Sequence, residues 1–139
     1  MTDATDKPLT VLVVDDIVSN AKLMALIMEN MFKARVIPTY SARVALEQAV
    51  AQRPDLMMVD INMPSINGYQ FLEEIRAMAE FKNTPIVAVS ANALPEDVAR
   101  GLSSGFNAYI TKPYDFDDVW RSICPLLGRD PNSPRTSSA

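Results

Sequence analysis

VLVVDDIVSN, residues 11–20, sets four apolar residues in a row against the adjacent carboxylates of Asp15 and Asp16. Residues 9–14 form a short, β-branched run, apolar at successive positions, which is the pattern of a strand covered on both faces. Such a strand belongs inside a parallel sheet. Two neighbouring carboxylates at its end repel each other, so they ask for something positive to hold.

The same pattern recurs along the chain. Residues 34–38 read as a weaker strand near a sheet edge, because Arg35 and Pro38 fit a central position poorly. Residues 56–59, 86–89 and 108–110 supply three more strands. Helical periodicity fills the intervals. Leu23, Leu26, Ile27 and Met31 recur at spacings of three and four, with Ser19 or Asn20 as a cap. Val44, Ala45, Gln48 and Ala49 follow Ser41, a second cap. Tyr69, Leu72, Ile75, Arg76 and Ala79 mark a third helix. The segment 95–104 makes a poorer fourth, with Gly101 inside it and Ser103 and Ser104 at its end, so it is expected to be marginal. Asp115 and Asp118 stand at reciprocal capping positions before a stripe of Phe116, Val119, Trp120, Ile123 and Leu127. Five strands alternating with five helices predict an α/β fold, a parallel sheet covered on both faces with right-handed crossovers.

A chain of 139 residues fits one such domain. Residues 1–8 are expected to be a flexible N-terminal segment, 9–127 the folded domain, and 128–139, rich in Pro and Ser, a disordered tail. The sequence contains no histidine and one cysteine, Cys124. That excludes an internal disulfide, Ser-His-Asp and Cys-His catalysis, histidine metal sites and any phosphohistidine. Thirteen basic against seventeen acidic residues give a net charge of −4, which offers nucleic acid no global attraction. No segment approaches the roughly 18 apolar residues of a membrane span. A reducing, cytoplasmic setting is expected.

In a parallel sheet the functional polar groups gather beyond the carboxyl ends of the strands. Strand one ends in Asp15 and Asp16, strand three at Asp60 and strand four at Ser90; strand five is followed by Thr111, Lys112 and Pro113. The second strand is expected to contribute nothing. Taken singly, each aspartate reads as a helix cap or turn former, Ser90 as a loop tie and Lys112 as a solvated turn. Together they fall at ends that are neighbours in space. Three carboxylates in one cleft are tolerable around a hard divalent cation, and oxygen ligands suit magnesium. Asp115, Asp117 and Asp118 stay helix-start residues, and Trp120 with the methionines of 24–31 and 57–63 is expected to be packing.

At this point the chain closely resembles the receiver domain of two-component response regulators, of the single-domain, chemotaxis-regulator-like type. The resemblance is carried by the pair Asp15-Asp16, the stretch DINMPSING over residues 60–68, the hydroxyl of Ser90, the Lys112-Pro113 pair, and Tyr109 as the switch aromatic, and it covers residues 9–127. It implies a flavodoxin-like (βα)5 three-layer sandwich with strand order 2-1-3-4-5. It also implies that Asp60 accepts a phosphoryl group from a phosphohistidine. Asp16, Asp60 and the backbone carbonyl of Asn62 would ligate Mg2+, with Asp15 acting through water and Mn2+ able to substitute. Lys112 would reach a phosphoryl oxygen, Ser90 would hydrogen-bond another, and Ser90 and Tyr109 would form the switch. The Lys112-Pro113 bond is expected to be cis. Pro64 and Gly68 suit the turn after Asp60.

The implied partners are a sensor histidine kinase, a histidine phosphotransfer protein, and a downstream protein met through helix four, strand five and helix five. The start of helix one, around Ile17, Val18 and Ala21, would touch the donor. A homodimer through the helix-four to helix-five face is open to the family. Direct DNA binding is not expected, since the tail leaves no room for an output module, and the start and tail favour a natural single-domain protein. The alternatives are a phosphorelay shuttle, a receiver excised from a hybrid histidine kinase, an aspartate-nucleophile phosphatase, and an interaction module without phosphorylation. A phosphatase of that type would carry an acid two residues after its nucleophile, where this chain has Asn62.

Overall fold

The computed structural model describes residues 8–63 and 66–132. Pro64, expected to shape the turn after Asp60, lies outside the described residues, as do residues 1–7 and 133–139 of the expected terminal segments. Among the described residues, five strands alternate with five α-helices: β1 (Thr10–Val14), α1 (Val18–Phe32), β2 (Arg35–Thr39), α2 (Ala42–Gln52), β3 (Leu56–Asp60), α3 (Gly68–Arg76), β4 (Ile86–Ser90), α4 (Pro95–Ser104), β5 (Ala108–Thr111) and α5 (Phe116–Ile123). Short 3₁₀ turns at Ala79–Phe81 and Cys124–Leu127 follow α3 and α5.

The strands form one parallel sheet in the order β2-β1-β3-β4-β5, the order the resemblance implies. The buried positions of β1 and β3 are apolar up to Asp60 at the end of β3, because alternate side chains serve different layers. Val11, Val13 and Met58 point to a core shared with Met24, Met28 and Phe32 of α1 and Trp120 and Ile123 of α5. Leu12, Val14, Met57 and Val59 point the other way, to Ala45 and Ala49 of α2 and to Phe71 and Ile75 of α3. Arg35 and Pro38 lie in β2 at the sheet edge, where a missing ladder donor is tolerated.

Helix α1 departs from the sequence reading. It begins at Val18 with Ile17 at the cap position, and neither Ser19 nor Asn20 caps it. The side chain of Asp15 does the local tying instead, accepting the N–H of Ile17 at 2.9 Å. Leu23 and Leu26, placed on the buried stripe by their spacing, are 50% and 56% exposed. Ile27 and Met31 of that stripe are buried, and Met24 and Met28, one position on from Leu23 and Ile27, complete the inward face. Phe116, expected on the buried stripe of α5, is likewise exposed.

Other ends follow the expected chemistry. Ser41 accepts the N–H of Val44, and Asp115 and Asp118 exchange N–H bonds at 2.9 and 2.8 Å in a capping box. A second capping box, Asn67 with Gln70, starts α3. That helix ends at Arg76, before Ala79. Residues 128–132, placed in the tail by composition, turn back on the domain: Arg129 lies over the ring of Phe32, and the indole of Trp120 donates to the carbonyl of Pro131 at 2.9 Å. Trp120 itself stacks on Phe32 at 5.1 Å.

Candidate functional site

Register brings the polar strand ends together. Val14 pairs with Val59, so Asp15 follows β1 at the level where Asp60 ends β3. Asp60 pairs with Val89 and Ser90 with Thr111, which brings Ser90 and Lys112 to the same rim. Oxygens of Asp15, Asp16 and Asp60 lie within 4.8 Å of one another. Asp15 and Asp60 are buried, and Asp16 is the most open of the three.

Asp15 and Asp60 are held by local backbone. Asp15 turns its Oδ1 onto the N–H of Ile17, and its own N–H donates to the carbonyl of Thr39 at 3.1 Å. Thr39 is 3% exposed, and its hydroxyl donates to the carbonyl of Val13 at 2.7 Å. The second strand therefore does contribute, as a brace for the acid pair, against the expectation. Its signal in the sequence is the small hydroxyl residue, Thr39, directly after Pro38 at the end of the run. Asp60 Oδ1 accepts the N–H of Asn62 at 3.0 Å. Behind it, Gly68 packs so closely that a Cβ there would stand 2.9 Å from the Asp60 carbonyl oxygen and 2.7 Å from Cα of Ile61.

Lys112 reaches into the acids from β5. Its Nζ lies 3.4 Å from Asp15 Oδ2 and 3.7 Å from Asp60 Oδ2. The Lys112-Pro113 bond is cis, and the N–H of Lys112 donates to the carbonyl of Ser90 at 2.8 Å. Burial raises the Asp60 carboxyl above its ordinary value of 3.8 and the negative charge of Asp15 adds to the rise, while the Asn62 N–H and the Lys112 ammonium oppose it. Burial, with Asp15 adding to it, also raises the phenol of Tyr114. This residue lines a void of about 10 Å³ beneath Asp15, Asp60 and Lys112.

Ser90 is fully buried. Its Oγ accepts the N–H of Asn92 at 3.0 Å and the side-chain N–H of Asn62 at 3.2 Å. Tyr109 donates its hydroxyl to the carbonyl of Asn92 at 2.8 Å, and its ring lies against Gly101. Three carboxylates, one ammonium and one hydroxyl thus share a single rim. Carboxylate oxygens crowded at this range suit a hard, oxygen-seeking cation, and the set contains no soft ligand.

Among known proteins, the model of the response regulator receiver domain matches residues 11–123. The response regulator Rre1 of Synechocystis is 30% identical over 132 residues, 95% of this chain and 57% of its own length. The chain spans a smaller share still of other kinases and regulators that align with it. The chemotaxis protein CheY4 of Vibrio cholerae superposes with a TM-score of 0.81 at 26% identity, over 87% of this chain and all of that one. The receiver domain of the sensor histidine kinase PA1611 of Pseudomonas aeruginosa, which holds a magnesium ion in its active site cleft, superposes with a TM-score of 0.78 at 29% identity, over 88% of this chain and 99% of that one. No helix among the described residues is long and apolar enough to cross a membrane. With its sheet order, its rim of acids and these relatives in agreement, the chain belongs to the response regulator receiver domain family.

Proposed function

We propose that Asp60 accepts a phosphoryl group from a phosphohistidine, and that the modified domain signals through protein contacts in the cytoplasm. The observation that carries this reading is the placement of Lys112 Nζ 3.7 Å from the carboxylate of a buried, metal-competent Asp60. In the transfer, one Asp60 oxygen forms a P–O bond as the P–N bond of the donor breaks, and the leaving imidazole nitrogen keeps the electron pair. A carboxylate needs no general base, so the absence of histidine in this chain is no handicap. Such transfer spreads charge over the equatorial oxygens and depends on positioning and positive charge.

Asp16, Asp60 and the backbone carbonyl of Asn62 would hold Mg2+ directly and Asp15 through water, with Mn2+ able to replace it, since carboxylate sites also accept manganese. Bound there, the ion supplies Lewis acidity and a template. Lys112 adds a point charge to a second oxygen. Both acceptor positions of the Ser90 hydroxyl are taken by Asn92 and Asn62, which leaves its proton free for a third oxygen.

The partners in this reading are a histidine kinase or a histidine phosphotransfer protein as donor, met around Ile17 and Val18, which are exposed, and not at Ala21, which is fully buried in the core against the expectation. A downstream protein would be met through α4, β5 and α5. A phosphatase is disfavoured by Asn62 standing two residues after Asp60. Phosphotransfer from a panel of phosphorylated kinases and phosphotransfer proteins tests the assignment. Label should pass to the wild type and to none of its Asp60→Asn variant. Label passing equally to both, or continuous release of phosphate with no labelled intermediate, would overturn it.

A further inference from the structure

We propose that Arg100 and Tyr69 are positioning residues for phosphoryl binding: together they fix α4 so that Ser90 is aimed at the site. The inference rests on the phosphoryl-acceptor reading above and extends it to residues outside the acid rim.

Helix α4 is held to the domain by little burial of its own, since Gly101 is its only buried residue. What registers it is a pair of tyrosines taken up by two consecutive residues. The Arg100 guanidinium lies 4.2 Å from the ring centroid of Tyr69. At the next position, a Cβ on Gly101 would stand 2.5 and 2.7 Å from ring carbons of Tyr109. Only glycine lets that ring seat against the helix. Tyr69 is itself steadied by the edge of Phe106 at 5.7 Å, and the N–H of Phe106 returns to the carbonyl of Gly101 at 3.2 Å.

Both ends of this grip lead back to the site. Tyr69 follows Gly68, whose N–H donates to the carbonyl of Ile61 at 3.0 Å and whose Cα face abuts the carbonyl of Asp60. The ring under Arg100 is therefore anchored on the acceptor loop. From the other end, Tyr109 donates to Asn92, and Asn92 donates to Ser90. The contacts close a circuit from Asp60 through Tyr69, α4 and Tyr109 to Ser90. Releasing Arg100 from Tyr69 leaves α4 free to shift, unseats Tyr109, and relaxes the bond that orients Ser90. Asp15 and Asp60 are tied by other contacts, to Ile17, Thr39 and Asn62, so the metal site should not feel the change.

An exposed cation–π contact corresponds to an effect of about two- to fivefold. The test is a calorimetric titration of the full chain with Mg2+ alone and then with beryllofluoride, which stands in for the phosphoryl group. Arg100→Ala and Tyr69→Leu are each expected to weaken beryllofluoride about two- to fivefold with Mg2+ affinity unchanged. The double variant should be no weaker than either single one, and Tyr69→Phe, which keeps the ring, should match the wild type. Unchanged or tighter beryllofluoride binding in both variants overturns the proposal, as do additive losses or a parallel fall in Mg2+ affinity. A wild type that takes up Mg2+ but no beryllofluoride overturns the acceptor reading itself, and this inference with it.

Discussion

Nζ of Lys112 stands 3.7 Å from Oδ2 of Asp60, inside ion-pair range and beyond hydrogen-bond length. The ammonium attracts the carboxylate without capping it, so the oxygen stays available to an incoming phosphorus. Lys112→Met removes both the charge for the phosphoryl oxygens and the charge that holds the Asp60 carboxyl down. Loss of one such stabilising donor is expected to slow phosphorylation by roughly 10²-fold. Mg2+ should bind the variant more tightly, because a competing cation has gone. Stopped-flow phosphorylation and a metal titration check the two signs separately.

The raised Asp60 carboxyl makes a stability prediction. The folded chain holds that proton more tightly than the unfolded chain, so the group's contribution is fully present below the ordinary 3.8 and is lost as pH rises through the elevated folded value. Ionised Asp60 therefore costs stability at neutral pH in the absence of metal. Asp60→Asn should raise the melting temperature in chelator at pH 7 and leave it little changed at low pH. Magnesium at a hundred times its Kd should add about 2.7 kcal/mol to the wild type and much less to the variant. Calorimetry across pH, with and without metal, reads both effects.

Gly68 packs against backbone, which cannot rotate away as a side chain could. Gly68→Ala would force a Cβ to within 2.7 Å of Cα of Ile61, an overpacking expected to cost about 1–3 kcal/mol. Because the displaced atoms belong to the Asp60 loop, Mg2+ affinity should fall as well. Urea unfolding and metal titration of the same sample measure the two losses.

Arg76 supplies a contrasting case on the opposite side of the fold. Its guanidinium donates to the carbonyls of Phe81 and Thr84 at 2.7 Å, to that of Gly105 at 3.2 Å, and to the side chain of Asn107 at 2.7 Å. Asn107 also takes the N–H of Ile86, so this clamp fixes the start of β4. Arg76→Met should destabilise the domain by about 1–3 kcal/mol and speed amide exchange around residues 79–86, while Mg2+ affinity stays near that of the wild type. Hydrogen exchange by mass spectrometry locates the loss.

The residues that could be read from sequence are those whose place follows from strand ends. Asp15, Asp16, Asp60, Ser90 and Lys112 each terminate or follow an apolar run, and register does the rest. The strand order was not legible in periodicity; it came from the resemblance. Helix α1 offers apolar residues on two faces, Leu23 with Leu26 and Met24 with Met28, and the polar residues three and four away from the first pair, Ser19, Lys22, Glu29 and Asn30, mark that face as the outer one. Arg76 gave no signal because its partners are chiefly backbone carbonyls, up to 29 residues away in sequence. Gly101 looked like a defect of propensity, and only the packed ring of Tyr109 gives it a reason.

The most direct measurement is intact mass after incubation with acetyl phosphate, with magnesium and with chelator. Wild-type protein should gain one phosphoryl group with magnesium and almost none in chelator, and Asp60→Asn should gain none in either. An equal gain in the Asp60→Asn variant, or no gain by the wild type at millimolar magnesium, would contradict phosphoryl acceptance at Asp60.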